Sequence, residues 1–295
     1  MKIARILPRG AEATWAVVDL NSATMLPIVG GVEDWGPLAA SGRMEFAEAG
    51  PPLAFTDIRI LPPVTATSTI VGIGMNYWSH LRELGMSEPP PAPVGFIKPR
   101  SAIVGDGDEL AYPAITDQLD FEVELVVVMA EPVGDSMTSA TDAVLGYTVG
   151  NDVSARDAVA AMGGLDLFGM KALTGTSPVG PWIATKDEFG GSDRVDVDIV
   201  LRVNGEERQR DRTSNMIWNI DECLDYVVER VALSPGDLVF TGTTNGVGLE
   251  DGRFLKPGDE IEAEIEGIGI LRNRVGAKSV PVRAPRRSDR PVPQH

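Results

Sequence analysis

The sequence predicts an α+β fold in which strands dominate, helices are few, and a small β-rich domain comes first. From residue 69 to about residue 280, apolar runs of strand length alternate with Gly- and Pro-bearing turns. Helical spacing of apolar residues stands out in two segments, roughly 153–162 and 216–231. We therefore divide the chain into an N-terminal domain (1–65), a main domain (66–280) and a disordered tail (281–295).

The N-terminal domain is predicted from short strands and turns. Residues 1–6 and 14–20 have strand-like apolar patterns, and Pro- and Gly-bearing loops with one acidic helical stretch follow. Since none of these residues forms a recognisable reaction centre, we interpret the domain as structural. The tail is rich in Pro and Arg and has little to bury, so we expect it to be disordered.

Composition narrows the class of protein. The 295 residues are 43% hydrophobic and carry a net charge of −17, which is typical of a globular protein and disfavours nucleic acid as a partner. No apolar run approaches the ~18 residues of a membrane span, and no signal peptide is evident, so we expect a cytoplasmic protein without a membrane partner. The single cysteine, Cys223, excludes an intramolecular disulfide and is expected to be a small buried hydrophobe.

The most informative segment is Asp-Phe-Glu-Val-Glu-Leu at 120–125, which continues into an apolar run. Because side chains alternate along a strand, Asp120, Glu122 and Glu124 are expected to point the same way. Adjacent ionised carboxylates in a buried strand repel each other and lose hydration, and a hard divalent cation would compensate for both effects. The alternative is an edge strand with a solvated glutamate face, and the strand alone does not decide between them.

A third carboxylate follows the next apolar strand. Asn151 and Asp152 lie at its end, and Ser154 is predicted to begin a helix. Together with the two strand glutamates, Asp152 would complete a set of three oxygen ligands. That set would leave about three positions of an octahedral Mg²⁺ for water and substrate. The alternative is that Asp152 is only a helix N-cap.

Histidine is scarce, which singles out one imidazole. Of the two histidines, His295 is the terminal residue, so His80 is the candidate base. Glu83 is three residues further along a short predicted helix and shares its face, so its carboxylate can orient the ring. Gly72 and Gly74 before this helix and a run of prolines after it suggest a lid. The alternative is a lone surface histidine.

Three further elements are weaker signals. Lys98 and Arg100 follow a strand-like segment, and Lys171 follows a Gly-Met pair. A lysine near a metal can stabilise a developing oxyanion. The Thr- and Gly-rich loop at 241–248 can present hydroxyls and backbone N–H groups to a carboxylate. Solvated lysines and an ordinary turn would account for the same residues.

Seven blocks of sequence in a fixed order carry a resemblance over roughly 69–280. The blocks are Gly-Ile-Gly-Met-Asn-Tyr-x-x-His-x-x-Glu (72–83), Phe-Ile-Lys-Pro (96–99), Asp-Phe-Glu-Val-Glu-Leu (120–125), Gly-Tyr-Thr-Val-Gly-Asn-Asp-Val-Ser-Ala-Arg-Asp (146–157), Pro-Val-Gly-Pro-Trp (178–182), Val-Asn-Gly-Glu (203–206) and Pro-Gly-Asp-Leu-Val-Phe-Thr-Gly-Thr (235–243). In this set the chain resembles the fumarylacetoacetate hydrolase (FAH) family, in its acylpyruvase and 2-hydroxyhepta-2,4-diene-1,7-dioate isomerase-like branch.

The resemblance implies a fold and a set of site residues. The fold would be an FAH-type roll of mixed β-sheets, with 66–280 as the catalytic domain, assembled as a homodimer. The implied site consists of metal ligands (Glu122, Glu124, Asp152), catalytic residues (His80, Glu83, Lys171) and a substrate contact at Thr243. We add Lys98 and Arg100 as expected substrate contacts, since they could give a pocket of this acidic chain a positive charge. The implied cofactor is Mg²⁺ or Mn²⁺, with Ca²⁺ as a further option.

The implied reaction is metal-dependent hydrolysis of a carbon–carbon bond in a small β-diketo acid such as an acylpyruvate or fumarylpyruvate. Two alternatives stay open: decarboxylation, tautomerisation or isomerisation of an oxo-diacid at the same site, and a non-catalytic metal-binding protein. The chain departs from the family pattern at Val159, at Lys171-Ala-Leu-Thr174 and at Thr244. Because these positions flank the expected pocket, the identity of the substrate does not follow from the resemblance.

Overall fold

A computed structural model describes residues 1–43, 45–133, 139–158, 166–190 and 195–281. Its strands are β1 Lys2–Pro8, β2 Thr14–Asp19, β3 Thr24–Ile28, β4 Leu53–Ala54, β5 Ile58–Leu61, β6 Ile70–Gly74, β7 Val94–Ile97, β8 Ile103–Val104, β9 Glu109–Tyr112, β10 Leu119–Asp120, β11 Val123–Met129, β12 Val144–Asn151, β13 Ser154–Ala155, β14 Ser177–Thr185, β15 Asp198–Val203, β16 Glu206–Arg212, β17 Leu238–Thr243, β18 Glu260–Ile265 and β19 Gly269–Lys278. The α-helices that lie wholly within the described residues are α1 Val32–Ala40, α2 Trp78–Glu83, α3 Leu167–Lys171, α4 Ile220–Val228 and α5 Gly248–Asp251. The β-rich fold with few helices is confirmed.

The largest sheet has twelve strands, and β11 lies near its centre. Its main path runs β4-β3-β2-β1-β14-β12-β11-β17-β6-β7, with β5 added on β1 and β8 on β14. All seven residues of β11 are buried, and the strand pairs antiparallel with β12 on one side and with β17 on the other. The strand that carries the glutamates is therefore a central one, and the alternative of a solvated edge strand is excluded.

Two cores meet at β11 because its side chains alternate between faces. Leu125 and Val127 pack with the five-stranded sheet, whose order is β16-β15-β18-β19-β9. Val126 and Val128 pack on the opposite face, where Trp35 of α1 covers the sheet. Each such side chain contributes about 1.5–3 kcal/mol when fully buried, so the strand is held firmly from both sides.

The N-terminal strands belong to the same large sheet. β1 pairs antiparallel with β14 through Lys2 with Ala184 and Ile3 with Ile183, and it also pairs with β2 and β5. The N-terminal ammonium group lies 2.7 Å from Glu188. The division of the chain at residue 65 stays a prediction, but the N-terminal strands have no separate sheet among the described residues.

Two sequence-based boundaries change in the structure. The strand predicted through residues 120–128 is broken: β10 pairs with β13, whereas β11 begins at Val123 in the large sheet. Ser154 lies in β13 instead of beginning a helix, and helical residues start at Arg156. The rest of the helix predicted over 153–162 lies outside the described residues from 159 onward.

Helix α4 is shorter than the 216–231 segment that predicted it. Asn219 caps its start, because its side chain accepts a hydrogen bond from the Glu222 N–H and the Glu222 carboxylate accepts one from the Asn219 N–H. Met216 is bridged to Tyr77 and is therefore not helical. Cys223 is fully buried on this helix, as predicted. Within the described part of the chain, every helix is too short or too polar to cross a membrane.

Candidate active site

Three buried carboxylates converge where β11 begins and β12 ends. Ligand oxygens of Glu122, Glu124 and Asp152 lie within 4.8 Å of one another, and these residues are at most 4% exposed. Glu124 is on β11, and the backbone on either side of it is fixed by hydrogen bonds. The Asp152 N–H donates to the Glu122 carbonyl (2.8 Å), and the Glu122 N–H donates to the side chain of Asn151 (2.9 Å). We call these three residues the carboxylate cluster.

Cations surround the carboxylate cluster. The Lys171 ammonium donates to Glu122 at 2.5 Å and to Asp152 at 2.7 Å. Lys98 donates to the other oxygen of Asp152, and Arg156 donates to the other oxygen of Glu122 at 2.5 Å. Breaking a buried pair of this kind by removing one partner typically costs about 3–5 kcal/mol, so these contacts keep the carboxylates in place.

Glu122 and Glu124 have opposite pKa shifts. Burial alone would raise the pKa of Glu122, but the charges of Lys171, Arg156 and His80 lower it to about 2. Burial, together with the negative charges of Asp152 and Glu122, raises the pKa of Glu124 well above its usual range. Ionisation of Glu124 is therefore much less favourable in this environment than ionisation of Glu122.

The residues present fit a hard divalent cation. The donors are all carboxylate oxygens, the ligand type that Mg²⁺, Mn²⁺ and Ca²⁺ prefer. The Gly242 N–H donates to Glu124 at 2.7 Å, and this is a neutral partner in contrast to the lysines and arginine around Glu122 and Asp152. A cation beside Glu124 would compensate for the repulsion that raises the pKa of this residue.

His80 and Glu83 form a buried pair on α2. The Nδ1 atom of His80 lies 2.8 Å from Oε2 of Glu83, and the histidine is 5% exposed. The other oxygen of Glu83 accepts a hydrogen bond from the Gly246 N–H at 2.7 Å, so the carboxylate itself is held in place. This geometry excludes the alternative of a lone surface histidine. We call this pair the dyad.

Helix α2 is tethered at its start. The Asn76 side chain donates to the carbonyls of Thr241 (2.7 Å) and Trp218 (3.0 Å) and accepts from the Trp218 N–H (2.8 Å). The Ser79 hydroxyl donates to the Asp211 carboxylate at 2.5 Å. The segment predicted to be a lid is therefore fastened to residues 211–218 in this structure, and its opening stays a prediction.

Residues of the carboxylate cluster and the dyad line one cavity of about 470 Å³. Its lining includes His80 of the dyad, Glu122 and Glu124 of the carboxylate cluster, Lys171 and Thr243. The Thr243 hydroxyl donates to the Val123 carbonyl at 2.8 Å and accepts from the Gln209 side chain at 2.9 Å. The structure thus places five of the predicted site residues around one space.

Two predicted substrate contacts lie elsewhere. Lys98 is 2% exposed, and its ammonium contacts Asp152 and the Lys171 carbonyl, so it supports the carboxylate cluster from behind. Arg100 is exposed and donates to the Thr65 carbonyl at 2.6 Å. Arg100 lies apart from Lys98 because the chain leaves the direction of β7 after Pro99 and forms the short 3₁₀ turn Arg100–Ala102.

Sequence reasoning assigned no role to Arg156. Its guanidinium group donates to Asp120 at 2.8 Å as well as to Glu122, so it links both carboxylates. Asp120 does not join the carboxylate cluster, because its oxygens also accept from the N–H groups of Gly248 and Leu249 at the start of α5. The only sequence signal for this role is that the arginine lies four residues after Asp152, in the block Gly-Tyr-Thr-Val-Gly-Asn-Asp-Val-Ser-Ala-Arg-Asp.

Comparison with known proteins agrees with this geometry. The profile described as fumarylacetoacetate (FAA) hydrolase C-terminal matches residues 69–276. An uncharacterized protein of Staphylococcus saprophyticus is 42% identical over 229 residues, which cover 76% of this chain and 74% of that protein. The structure of 5-carboxymethyl-2-hydroxymuconate delta-isomerase from Mycobacterium smegmatis has a TM-score of 0.78 at 30% identity and covers 95% of this chain and 100% of its own. Fumarylacetoacetate hydrolase from Exiguobacterium antarcticum has a TM-score of 0.76 at 30% identity, with coverages of 94% and 100%.

Proposed function

The chain belongs to the fumarylacetoacetate hydrolase family, and from this premise we propose that it is a divalent-metal-dependent hydrolase of acylpyruvate-type β-diketo acids. The enzyme would cleave the carbon–carbon bond between the acyl carbonyl and the methylene group of the pyruvate part. One observation carries the proposal: His80, bound to Glu83, lines the same cavity as Glu122 and Glu124. A base and a metal site that share one cavity can act on one substrate.

The carboxylate cluster would hold Mg²⁺ or Mn²⁺, which supplies Lewis acidity toward the oxygens of the 2-oxo acid end of the substrate. Lys171 lines the same cavity, and its ammonium group can stabilise negative charge that develops on the pyruvate part. The apolar part of the lining limits the access of bulk water and so strengthens these electrostatic interactions. These roles assign binding and charge stabilisation to one end of the cavity.

His80 acts as the general base in this proposal. An ionised carboxylate only accepts hydrogen bonds, so Nδ1 carries the hydrogen that is donated to Glu83, and Nε2 has the free lone pair. Nε2 removes a proton from a water molecule, whose oxygen bonds to the acyl carbonyl carbon. The carbon–carbon bond then breaks, its electron pair remains on the pyruvate part as an enolate, and the proton returns to the carbon of that enolate. Glu83 stabilises the imidazolium ion that forms in between.

A second candidate reaction uses the same residues without water. It is isomerisation, tautomerisation or decarboxylation of an oxo-diacid, and the structural neighbour from Mycobacterium smegmatis, which is described as an isomerase, favours it. In isomerisation His80 would move a proton from one carbon to another, and in tautomerisation between a carbon and an oxygen. In decarboxylation carbon dioxide leaves, its bonding electron pair stays behind as an enolate, and that enolate takes up a proton at carbon. Lys171 would stabilise the enolate in each case.

Product analysis separates these reactions. The purified protein is incubated with acetylpyruvate and with oxaloacetate, first with Mg²⁺ or Mn²⁺ and then with EDTA. We expect acetate and pyruvate from acetylpyruvate, with the activity lost on chelation. Carbon dioxide from oxaloacetate, or a change of tautomer alone, would replace the hydrolase proposal with the second candidate.

A further inference from the structure

The walls of the active-site cavity are mostly apolar. The side chains that supply this surface come from four different segments of the chain: Met75, Leu84, Val94, Phe96, Leu167 and Met170. Leu249 also lines the cavity and is 42% exposed. An apolar pocket with a few polar groups at one place is suited to a ligand that is charged at one end and apolar over the rest.

The cations of the lining are all engaged by carboxylates of the protein. Among the described residues that line the cavity, the basic side chains are His80, Arg156 and Lys171. His80 is bound to Glu83, as described above, and the other two contact Glu122. The other polar side chains of the described lining, Gln118 and Thr243, are neutral. A second carboxylate far from the carboxylate cluster would therefore meet mostly apolar walls without a cationic partner, which is strongly disfavoured.

The cavity is also larger than the smallest substrate of the proposed class. One water molecule occupies about 30 Å³ in the liquid. If each non-hydrogen atom of acetylpyruvate needed the same volume, this substrate would fill little more than half of the cavity. The cavity has about 470 Å³. The remaining space is bordered by apolar side chains, and filling it with methylene groups would remove apolar surface from water.

We propose that the substrate is a monocarboxylic acylpyruvate whose acyl group is uncharged, apolar and larger than acetyl, in preference to a dioic acid. This inference rests on the proposed function, because it takes the pyruvate part to lie at the carboxylate cluster. It adds a specificity that the family assignment does not provide. The apolar wall around Leu84 and Val94 holds the acyl chain, whereas Phe96, whose ring centroid lies 5.6 Å from the Lys171 ammonium, borders the charged end.

Binding of 2-oxo acids tests the preference without requiring turnover. The Mn²⁺-loaded protein is titrated calorimetrically with 2-oxobutanoate, 2-oxohexanoate and 2-oxooctanoate, and with 2-oxoadipate as a dioic acid of the same chain length as 2-oxohexanoate. We expect affinity to increase up to about fourfold for each methylene group. We expect the dioic acid to bind at least about tenfold more weakly than its monocarboxylic match. Equal or tighter binding of the dioic acid would overturn the inference.

Turnover then distinguishes failure of this inference from failure of the proposed function. Hexanoylpyruvate, acetylpyruvate and fumarylpyruvate are compared by kcat/KM, and we expect hexanoylpyruvate to be the best substrate. Hydrolysis that favours fumarylpyruvate would refute the inference while supporting the hydrolase. A lack of hydrolysis of all three, with the 2-oxo acid ranking intact, would refute the hydrolase and support the apolar specificity.

A charge placed in the wall provides a matched test. Leu84 is half-buried at the end of α2, so the Leu84→Lys variant brings an ammonium group to the apolar surface. We expect the ratio of dioic to monocarboxylic affinity to increase at least about tenfold, because the second carboxylate gains a partner. Leu20→Lys, at a position that is 52% exposed, should leave the ratio unchanged. An unchanged ratio in a folded Leu84→Lys variant would contradict the placement of the acyl chain.

Discussion

The two halves of the active site are built in different ways. The carboxylate cluster is mounted on β11 and β12, central strands that are buried along their whole length. The dyad is on α2, a helix of six residues that is anchored by hydrogen bonds of Asn76 and Ser79 and by the buried side chain of Leu81. The comparison indicates that the sheet core fixes the metal ligands, whereas contacts remote in sequence fix the base.

Backbone strain next to α2 supports this contrast. Met75 has a φ of 58°, in the left-handed region, where a residue other than glycine costs about 1–2 kcal/mol. The adjacent Asn76 supplies the hydrogen bonds that hold this turn against Thr241 and Trp218. A strained residue persists where its surroundings determine it strongly, and Met75 lines the same cavity as His80.

The largest expected effect comes from the carboxylate cluster. Glu124→Gln keeps the size of the side chain but removes a ligand charge, so Mn²⁺ affinity should fall at least about 100-fold and turnover should be lost. Calorimetry with Mn²⁺ and a turnover assay measure the two effects. Glu260→Gln, at an exposed position, is the matched control. Metal affinity equal to wild type in Glu124→Gln would contradict the assignment of this ligand.

Substitution of His80 in the dyad should affect catalysis without affecting metal binding. His80→Gln should lower kcat by about 10²–10⁴-fold, the usual contribution of a general base, and leave Mn²⁺ affinity within about threefold of wild type. The same two assays provide the comparison with Glu124→Gln. If His80→Gln retained full turnover, water activation by His80 would be refuted.

The tether of α2 should have a smaller effect. Ser79→Ala removes the hydrogen bond to Asp211, so His80 should be positioned less well and kcat should fall by about threefold to tenfold, with KM and Mn²⁺ affinity little changed. Ser214→Ala, which removes a similar hydroxyl–carboxylate bond on the exposed surface, is the control. A loss of Mn²⁺ affinity in Ser79→Ala would show that the two halves are not separable.

The smallest effect concerns Cys223, which lies beside Asn76 under the tether. Burial raises the pKa of its thiol to about 12, so almost no thiolate is present at pH 8 and alkylation of the native protein should be very slow. The rate should increase as pH approaches the pKa, and unfolding in guanidinium should restore ordinary reactivity. Because the chain has a single cysteine, mass spectrometry follows the labelling without ambiguity. Rapid labelling of the folded protein at pH 8 would contradict the packing of this helix.

Much of the fold and half of the site could be predicted from the sequence. The apolar run after Glu124 predicted the buried central strand, and the i,i+3 spacing of His80 and Glu83 predicted their contact. The break of the strand before Val123 could not be predicted, because it depends on β10 pairing with β13, which follows β11 and β12 in the chain. The contact of Arg100 with the Thr65 carbonyl, outside the cavity lining, could not be predicted either, since it depends on a short 3₁₀ turn and on a segment 35 residues away.

The role of Arg156 illustrates what a single sequence leaves out. An arginine beside a carboxylate motif fits solvent as well as a buried contact, and only the tertiary structure brings it to Asp120 and Glu122. Likewise, the Gln209 contact to Thr243 comes from β16 in the second sheet. Pairings between distant segments determine these contacts, and local patterns do not encode them.

Attack of water on the acyl carbonyl carbon is tested most directly by cleavage of hexanoylpyruvate in H₂¹⁸O, with the Mn²⁺-loaded protein and mass spectrometry of the products. We expect hexanoate that carries one ¹⁸O atom in its carboxyl group, formed together with an equal amount of pyruvate. Release of carbon dioxide, a change of tautomer without cleavage, or hexanoate without the label would contradict attack by a water molecule activated at His80.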